Sequence, residues 1–128
     1  LGEAELMKSL RVLVVEDYPD IAEVWCKWVG LAGHEVEVCW NGSQALEMAP
    51  AFRPDVVFLD IGLPDMDGWE VAAALRKNVD LARAKIIAVS AYQSDEDRNR
   101  SRDSGIDAHI GKPASKEDFV KVLAELAE

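Results

Sequence analysis

Two cysteines, two histidines and far fewer bases than acids set the first limits on this chain. Cys26 and Cys39 match no metal-binding spacing and fall inside predicted regular elements. They read as small buried hydrophobes of a protein in a reducing, cytoplasmic compartment. No apolar run approaches the ~20 residues of a membrane span, and no signal peptide pattern is visible. Lys and Arg number 14 against 24 Asp and Glu, a net charge of −10. Phosphate backbones need clustered bases, so the balance argues against nucleic acid, and equally against anionic membranes. Neither G-x-G-x-x-G nor G-x-x-x-x-G-K-S/T occurs, which disfavours a nucleotide or flavin binder. There is no internal repeat and no low-complexity tract. Most of the acids are expected simply to keep the surface soluble.

What is present is core. Of 128 residues, 49% are hydrophobic, enough for one globular domain. The chain starts Leu-Gly rather than Met, so residues 1–9 read as a tail or a remnant of something longer, with the domain spanning residues 10–128. Four apolar runs predict strands: Val12–Val15, Val36–Cys39, Val56–Leu59 and Ile86–Val89, with a shorter fifth at Ala108–Ile110. The first, third and fourth are continuously apolar, as parallel strands covered on both faces are. In the second, Glu35 and Glu37 alternate with Val36 and Val38, which predicts an edge.

Helical patterns separate them. Ile21, Val24, Trp25, Trp28, Val29 and Ala32 recur on one face, between Pro19 and Gly33. The spacing makes both tryptophans core. A second helix is expected over Ser43–Ala49, stopped by Pro50. A third starts at the capping Asp67, with Glu70 reaching back, and buries Val71, Ala72 and Leu75. The last starts at Ser115, with Asp118 three residues on, and buries Phe119, Val120, Leu123 and Leu126. Five alternations of strand and helix specify an α/β fold with a parallel sheet and helices on both faces.

In such sheets chemistry lies beyond the carboxyl ends of the strands. Glu16 and Asp17 come after the first strand, Asp60 after the third, Ser90 closes the fourth, and Lys112-Pro113 comes after the fifth. Singly, each has an ordinary explanation as a cap, a turn residue or a surface lysine. Together they bring three carboxylates, a hydroxyl and an ammonium to one patch. Crowded carboxylates raise one another's pKa unless a cation is present. Mg²⁺ suits them, because it takes one or two carboxylates and leaves room for waters and phosphoryl oxygens. Beside it Asp60 stays ionised as a nucleophile able to accept a phosphoryl group. Lys112 neutralises charge and Ser90 donates a hydrogen bond.

The segments "VLVVEDYPD", "DVVFLDIGLPDMDGWEV", "IIAVSAY" and "GIDAHIGKPAS" resemble the receiver domain of two-component response regulators, over about residues 10–127. That resemblance implies a flavodoxin-like, doubly wound five-stranded parallel sheet of order 2-1-3-4-5 with five helices. It implies that Asp60 is the phosphoacceptor in a phosphorelay, that Asp17 touches Mg²⁺ directly and that Glu16 acts through a metal-bound water. The carbonyl of Gly62 completes the protein ligands, Lys112 pairs with the phosphoryl group before a cis bond to Pro113, and Ser90 moves to start the switch. The implied partners are a histidine kinase or histidine phosphotransfer protein upstream and an effector domain or partner protein downstream. The domain would be no enzyme beyond its own phosphorylation and dephosphorylation, with Gly62 and Tyr92 flanking the site and influencing water access.

The sequence departs from the family pattern at two places. Three residues before the lysine the family usually has Tyr or Phe, the side chain that swings inward on activation; here it is His109. The "AHIGKP" form is similar to receivers attached to hybrid histidine kinases. The second departure is "QSDEDRNRSRDSG", Gln93–Gly105, where a fourth helix is due although Ser94–Ser104 contains no apolar side chain. A helix polar all round has no face to bury, so it is expected to be the least stable element, held by its neighbours and by arginine stems. Two rival functions remain. A haloacid-dehalogenase-type hydrolase would want a second Asp where Gly62 stands. A pseudo-receiver that only binds a partner would have no use for five retained site residues.

Overall fold

The computed structural model describes residues 8–91 and 94–128. Most of the expected N-terminal tail, together with Tyr92 and Gln93, lies outside them. The elements run β1 (Arg11–Val15), α1 (Pro19–Leu31), β2 (Glu35–Cys39), α2 (Gly42–Phe52), β3 (Val56–Asp60), α3 (Gly68–Arg76), a single 3-10 turn (Val79–Leu81), β4 (Lys85–Ser90), α4 (Asp95–Asp103), β5 (Ala108–Gly111) and α5 (Lys116–Leu126). All four strand pairings are parallel, in the order β2-β1-β3-β4-β5. β2 is an edge, as its alternating glutamates predict, and its glutamates point to solvent.

Because successive strand residues face opposite sides, each strand feeds two cores. Leu13, Val15, Val57, Leu59, Ile86 and Ala88 pack under α2 and α3. Val12, Val14, Val56, Phe58, Ile87 and Val89 pack under α1 and α5. Phe119 of α5 anchors the second layer, with its ring centroid 4.3 Å from Phe58, 5.3 Å from Trp25 and 5.4 Å from Trp28. Within α5 Phe119 and Leu123 are fully enclosed, whereas Val120, expected inside, is 39% exposed. It lies one step around the helix from the sheet-facing line, and Leu126 is only half-buried.

α1 departs from its pattern in the same way. Ala22, Trp25 and Val29 face the sheet, Trp28 is half-buried, and Ala32 is exposed. Ile21 and Val24 are 38% and 42% exposed. The apolar stripe of this helix is wider than the sheet beneath it.

α2 runs on through Pro50 to Phe52. Proline deprives the helix of one hydrogen bond, but Phe52 beyond it is held from outside. Arg11 donates from Nε to the Phe52 carbonyl at 2.7 Å and lies 4.3 Å from its ring centroid. Arg53 then ends the helix in the left-handed region, at φ 54°. At the start of α3 the Asp67 carboxylate accepts the Glu70 N–H, while the Glu70 side chain stays exposed rather than reaching back.

The polar segment does form a helix. Ser94 and Asp97 close a reciprocal cap at the start of α4. Its one buried side chain among those described is Ser101, whose hydroxyl accepts the indole N–H of Trp69 at 2.8 Å. Arg100 lays its guanidinium 4.1 Å from the centre of the same indole and reaches Asp67 at 3.3 Å. The helix is docked by a hydroxyl and a stacked cation in place of an apolar face.

Candidate functional site: an acidic pocket at the strand ends

β1 and β3 are neighbours at the centre of the sheet, so Glu16 and Asp60 leave its carboxyl edge side by side. Glu16, Asp17 and Asp60 offer carboxylate oxygens that all lie within 4.8 Å of one another. Glu16 and Asp60 are buried. From the loop after β5, Lys112 brings its ammonium to 3.0 Å from Asp60 Oδ1 and 3.5 Å from Glu16 Oε2. The Gly62 N–H also donates to Asp60 Oδ1, at 3.1 Å. Lys112 is set by its backbone: its N–H donates to the Ser90 carbonyl at 3.1 Å, and its bond to Pro113 is cis. Ser90 is buried beside the cluster, at the end of the strand that pairs with β3.

The electrostatics of the group are incomplete. Burial, and then the charge of Asp60, pushes the Glu16 carboxyl up to about 7, against the Tyr18 N–H and Lys112. Burial also works against the Lys112 ammonium, but the hydrogen bond and charge of Asp60, with help from Glu16, outweigh it and hold its pKa above the ordinary value. Glu16 Oε1 accepts the Tyr18 N–H at 3.1 Å, whereas Oε2 is buried with no hydrogen bond among the described residues and only the Lys112 ammonium, 3.5 Å away, to balance it. Three acids facing one ammonium, with a buried carboxylate oxygen among them that accepts no hydrogen bond from the described residues, fit a hard cation with oxygen ligands.

His109 is not part of that cluster. It pairs with Ala88, one step back on the same sheet face as Ser90. Both its ring nitrogens are buried and have no hydrogen bond among the described residues. Burial first, then Arg98, lowers its pKa from the ordinary histidine value, with Asp97 opposing.

One contributor escaped the sequence reading. Asp65, in the loop between β3 and α3, accepts the N–H groups of Gly42 and Ser43 at 2.8 and 2.9 Å and the Ser43 hydroxyl at 2.6 Å. Only its place after Pro64 and Asp60 in a turn-rich acidic loop hinted at a role.

Residues 12–124 match the family profile described as "Response regulator receiver domain". The chain belongs to that family. It is similar to the polar-differentiation response regulator DivK of Brucella anthropi, 33% identical over 112 residues that cover 88% of this chain and 91% of the relative. Among solved structures it resembles the chemotaxis protein CheY4 of Vibrio cholerae, with a TM-score of 0.88, 28% identity and coverage of 93% and 99% of the two chains. It also resembles the signal receiver domain of a signal transduction histidine kinase from Syntrophus aciditrophicus, with a TM-score of 0.84, 28% identity and coverage of 93% and 90%. As a receiver domain it is a signalling module rather than a conventional enzyme, and membership implies dealings with histidine kinases or phosphotransfer proteins and with downstream partners. Among the described residues no helix is long and apolar enough to cross a membrane.

Proposed function

We propose that this receiver accepts a phosphoryl group from a phosphohistidine donor onto Asp60 and thereby changes the surface around α4 and β5. The observation that carries the reading is the Asp60 carboxylate, buried at a strand end with Oδ1 held by both Lys112 and the Gly62 N–H. A carboxylate oxygen attacks phosphorus as the P–N bond to the donor imidazole breaks, and the departing imidazole takes up a proton. Lys112, 3.0 Å from Asp60, is placed to follow the charge onto the phosphoryl oxygens. Asp17, Asp60 and the Gly62 carbonyl would hold Mg²⁺ directly, with Glu16 acting through water. The bound ion supplies neutralisation of the phosphoryl oxygens and relieves the crowded acids. The domain spans residues 10–128, works in the cytoplasm and catalyses only its own phosphorylation and dephosphorylation.

A groove of about 350 Å³ beside Lys112 supports the choice of donor. Ile21, Val24, Trp28, Pro113 and Ala114 line it with apolar surface beside Lys112, whose ammonium reaches Asp60, and a donor helix can rest there. On the output side Ser90 turns toward the phosphoryl group and His109 moves with it. Two buried nitrogens with no hydrogen bond among the described residues favour a rotation that gives His109 a partner.

Acetyl phosphate with Mg²⁺ should add one acid-stable, base-labile phosphoryl group to the wild type and none to Asp60→Asn, read by intact mass. Equal labelling of the two would remove Asp60 from its role. In fluorescence titrations with Mg²⁺, Asp17→Asn should weaken binding more than Glu16→Gln; the reverse order would exchange their parts. His109→Ala should leave labelling intact and shrink the difference in partner affinity between activated and resting forms.

A further inference from the structure

We propose that Asp65 is a positioning residue: it fastens the loop carrying Gly62 to the start of α2 and so sets the geometry of the cation site. The inference rests on the proposed reading of that site as a Mg²⁺ centre. The loop leaves β3 at Asp60 and returns to α3 at Gly68, whose N–H donates to the Ile61 carbonyl at 2.8 Å. That bond closes the base of the loop and leaves its tip to be held elsewhere. Asp65 holds it with both carboxylate oxygens, Oδ1 on the Gly42 N–H and Oδ2 on the N–H and hydroxyl of Ser43.

The attachment is specific in charge and in shape. The first N–H groups of a helix have no partner within it and carry partial positive charge, so an anion from a separate loop is an apt partner. The Ser43 hydroxyl first, then the Gly42 and Ser43 N–H groups, hold the Asp65 carboxyl down to about 2, so it is ionised at any physiological pH. Gly42 lies so close to Met66 and Val71 that a β-carbon there would collide with both side chains. Asp65 is not needed merely to cap α2, because Asn41 already accepts the Gln44 N–H at 2.9 Å from the preceding position.

The consequence falls on Gly62. Its N–H engages Asp60, and in the proposed site its carbonyl would be the cation ligand supplied by loop backbone. Mg²⁺ demands near-ideal octahedral geometry, so a loop free to shift at its tip weakens the ion without removing any ligand.

The test compares Asp65→Ala, Asp65→Asn, Ser43→Ala and Asn41→Ala. Mg²⁺ binding is followed by tryptophan fluorescence, and labelling by acetyl phosphate is followed over a range of Mg²⁺ concentrations. Asp65→Ala should raise the half-saturating Mg²⁺ concentration roughly threefold to tenfold in both assays, with the labelling rate at saturating Mg²⁺ close to wild type. Asp65→Asn, which keeps one acceptor oxygen, should fall between, and Ser43→Ala, which loses one bond and keeps the fold, should move slightly the same way. Asn41→Ala loses a cap of the same helix and should bind Mg²⁺ as wild type does. Wild-type Mg²⁺ affinity in Asp65→Ala, or an equal shift in Asn41→Ala, overturns the proposal. So does a shift identical in Asp65→Ala and Asp65→Asn that vanishes at high salt, since charge alone would then account for it. A wild type that binds Mg²⁺ but is never labelled at Asp60 would overturn the phosphoacceptor function, with the metal titration still deciding Asp65.

Discussion

α4 and α5 are successive helices of similar length with the same opening device, a serine and an aspartate capping each other. Beyond the cap the two diverge. α5 drives Phe119 and Leu123 into an aromatic layer, whereas α4 is docked through polar contacts, among them the Ser101 hydroxyl and the Arg100 guanidinium stacked on Trp69. Apolar burial is insensitive to small changes in geometry, but a hydrogen bond weakens steeply with distance and angle. The first kind of attachment suits scaffold, and the second suits an element meant to move. The helix beside Ser90 and His109 is of the second kind.

That contrast sets the scale of what substitutions should do. Phe119→Ala should cost about 3–5 kcal/mol of global stability in denaturant unfolding, since a fully buried ring leaves a cavity. A loss under about 1 kcal/mol would show that α5 is not the anchor of its layer. Ser101→Ala leaves the buried Trp69 N–H without this acceptor and should cost about 1–2 kcal/mol. The loss should show mainly as faster local opening of α4. Should Ser101→Ala instead destabilise the whole domain as much as Phe119→Ala, the two helices would be equivalent.

The site itself should behave as a third kind of region, one that costs stability. Glu16 has its pKa raised to about 7, so its contribution is fully present below its unfolded value of 4.5 and is lost as pH rises through 7. Glu16→Gln should therefore stabilise the metal-free protein by about 1 kcal/mol above pH 7 and by little at pH 5. A variant less stable than wild type at high pH would contradict the buried, uncompensated charge. The smallest effect belongs to His34, whose Nδ1 accepts the Leu10 N–H at 2.9 Å and whose pKa burial lowers. Its share of stability is present above the unfolded pKa and is lost as pH falls through the lower folded value. His34→Gln should accordingly flatten the loss of stability between pH 7 and pH 5; an unchanged slope would leave His34 with no part in that loss.

Strand order apart, the architecture was legible because its signals are local. Continuous apolar runs mark buried parallel strands, alternating glutamates mark the edge at β2, and Ser94, Asp67 and Ser115 mark helix starts. The acids at the carboxyl ends of β1 and β3 were legible for the same reason, since a strand end is a position along the chain. Where the reading missed, the deciding contact lies far away in sequence. Pro50 does not end α2 because Arg11 holds Phe52. Ile21, Val24 and Val120 stay exposed because helical spacing names a stripe but not the width of the sheet that covers it. The clasp of Trp69 on Ser101 and that of Asp65 on Ser43 join residues whose separate types announce nothing.

Chemistry at Asp60 should be felt by the polar helix while the apolar one stays in place. Hydrogen exchange on one sample, before and after acetyl phosphate and Mg²⁺, reads both helices at once. At rest, residues 96–104 should exchange well ahead of α5. After labelling they should slow, α5 should stay as it was, and Asp60→Asn should show no change. Protection of residues 96–104 equal to that of α5 at rest, with no response to labelling at Asp60, would contradict this division of roles.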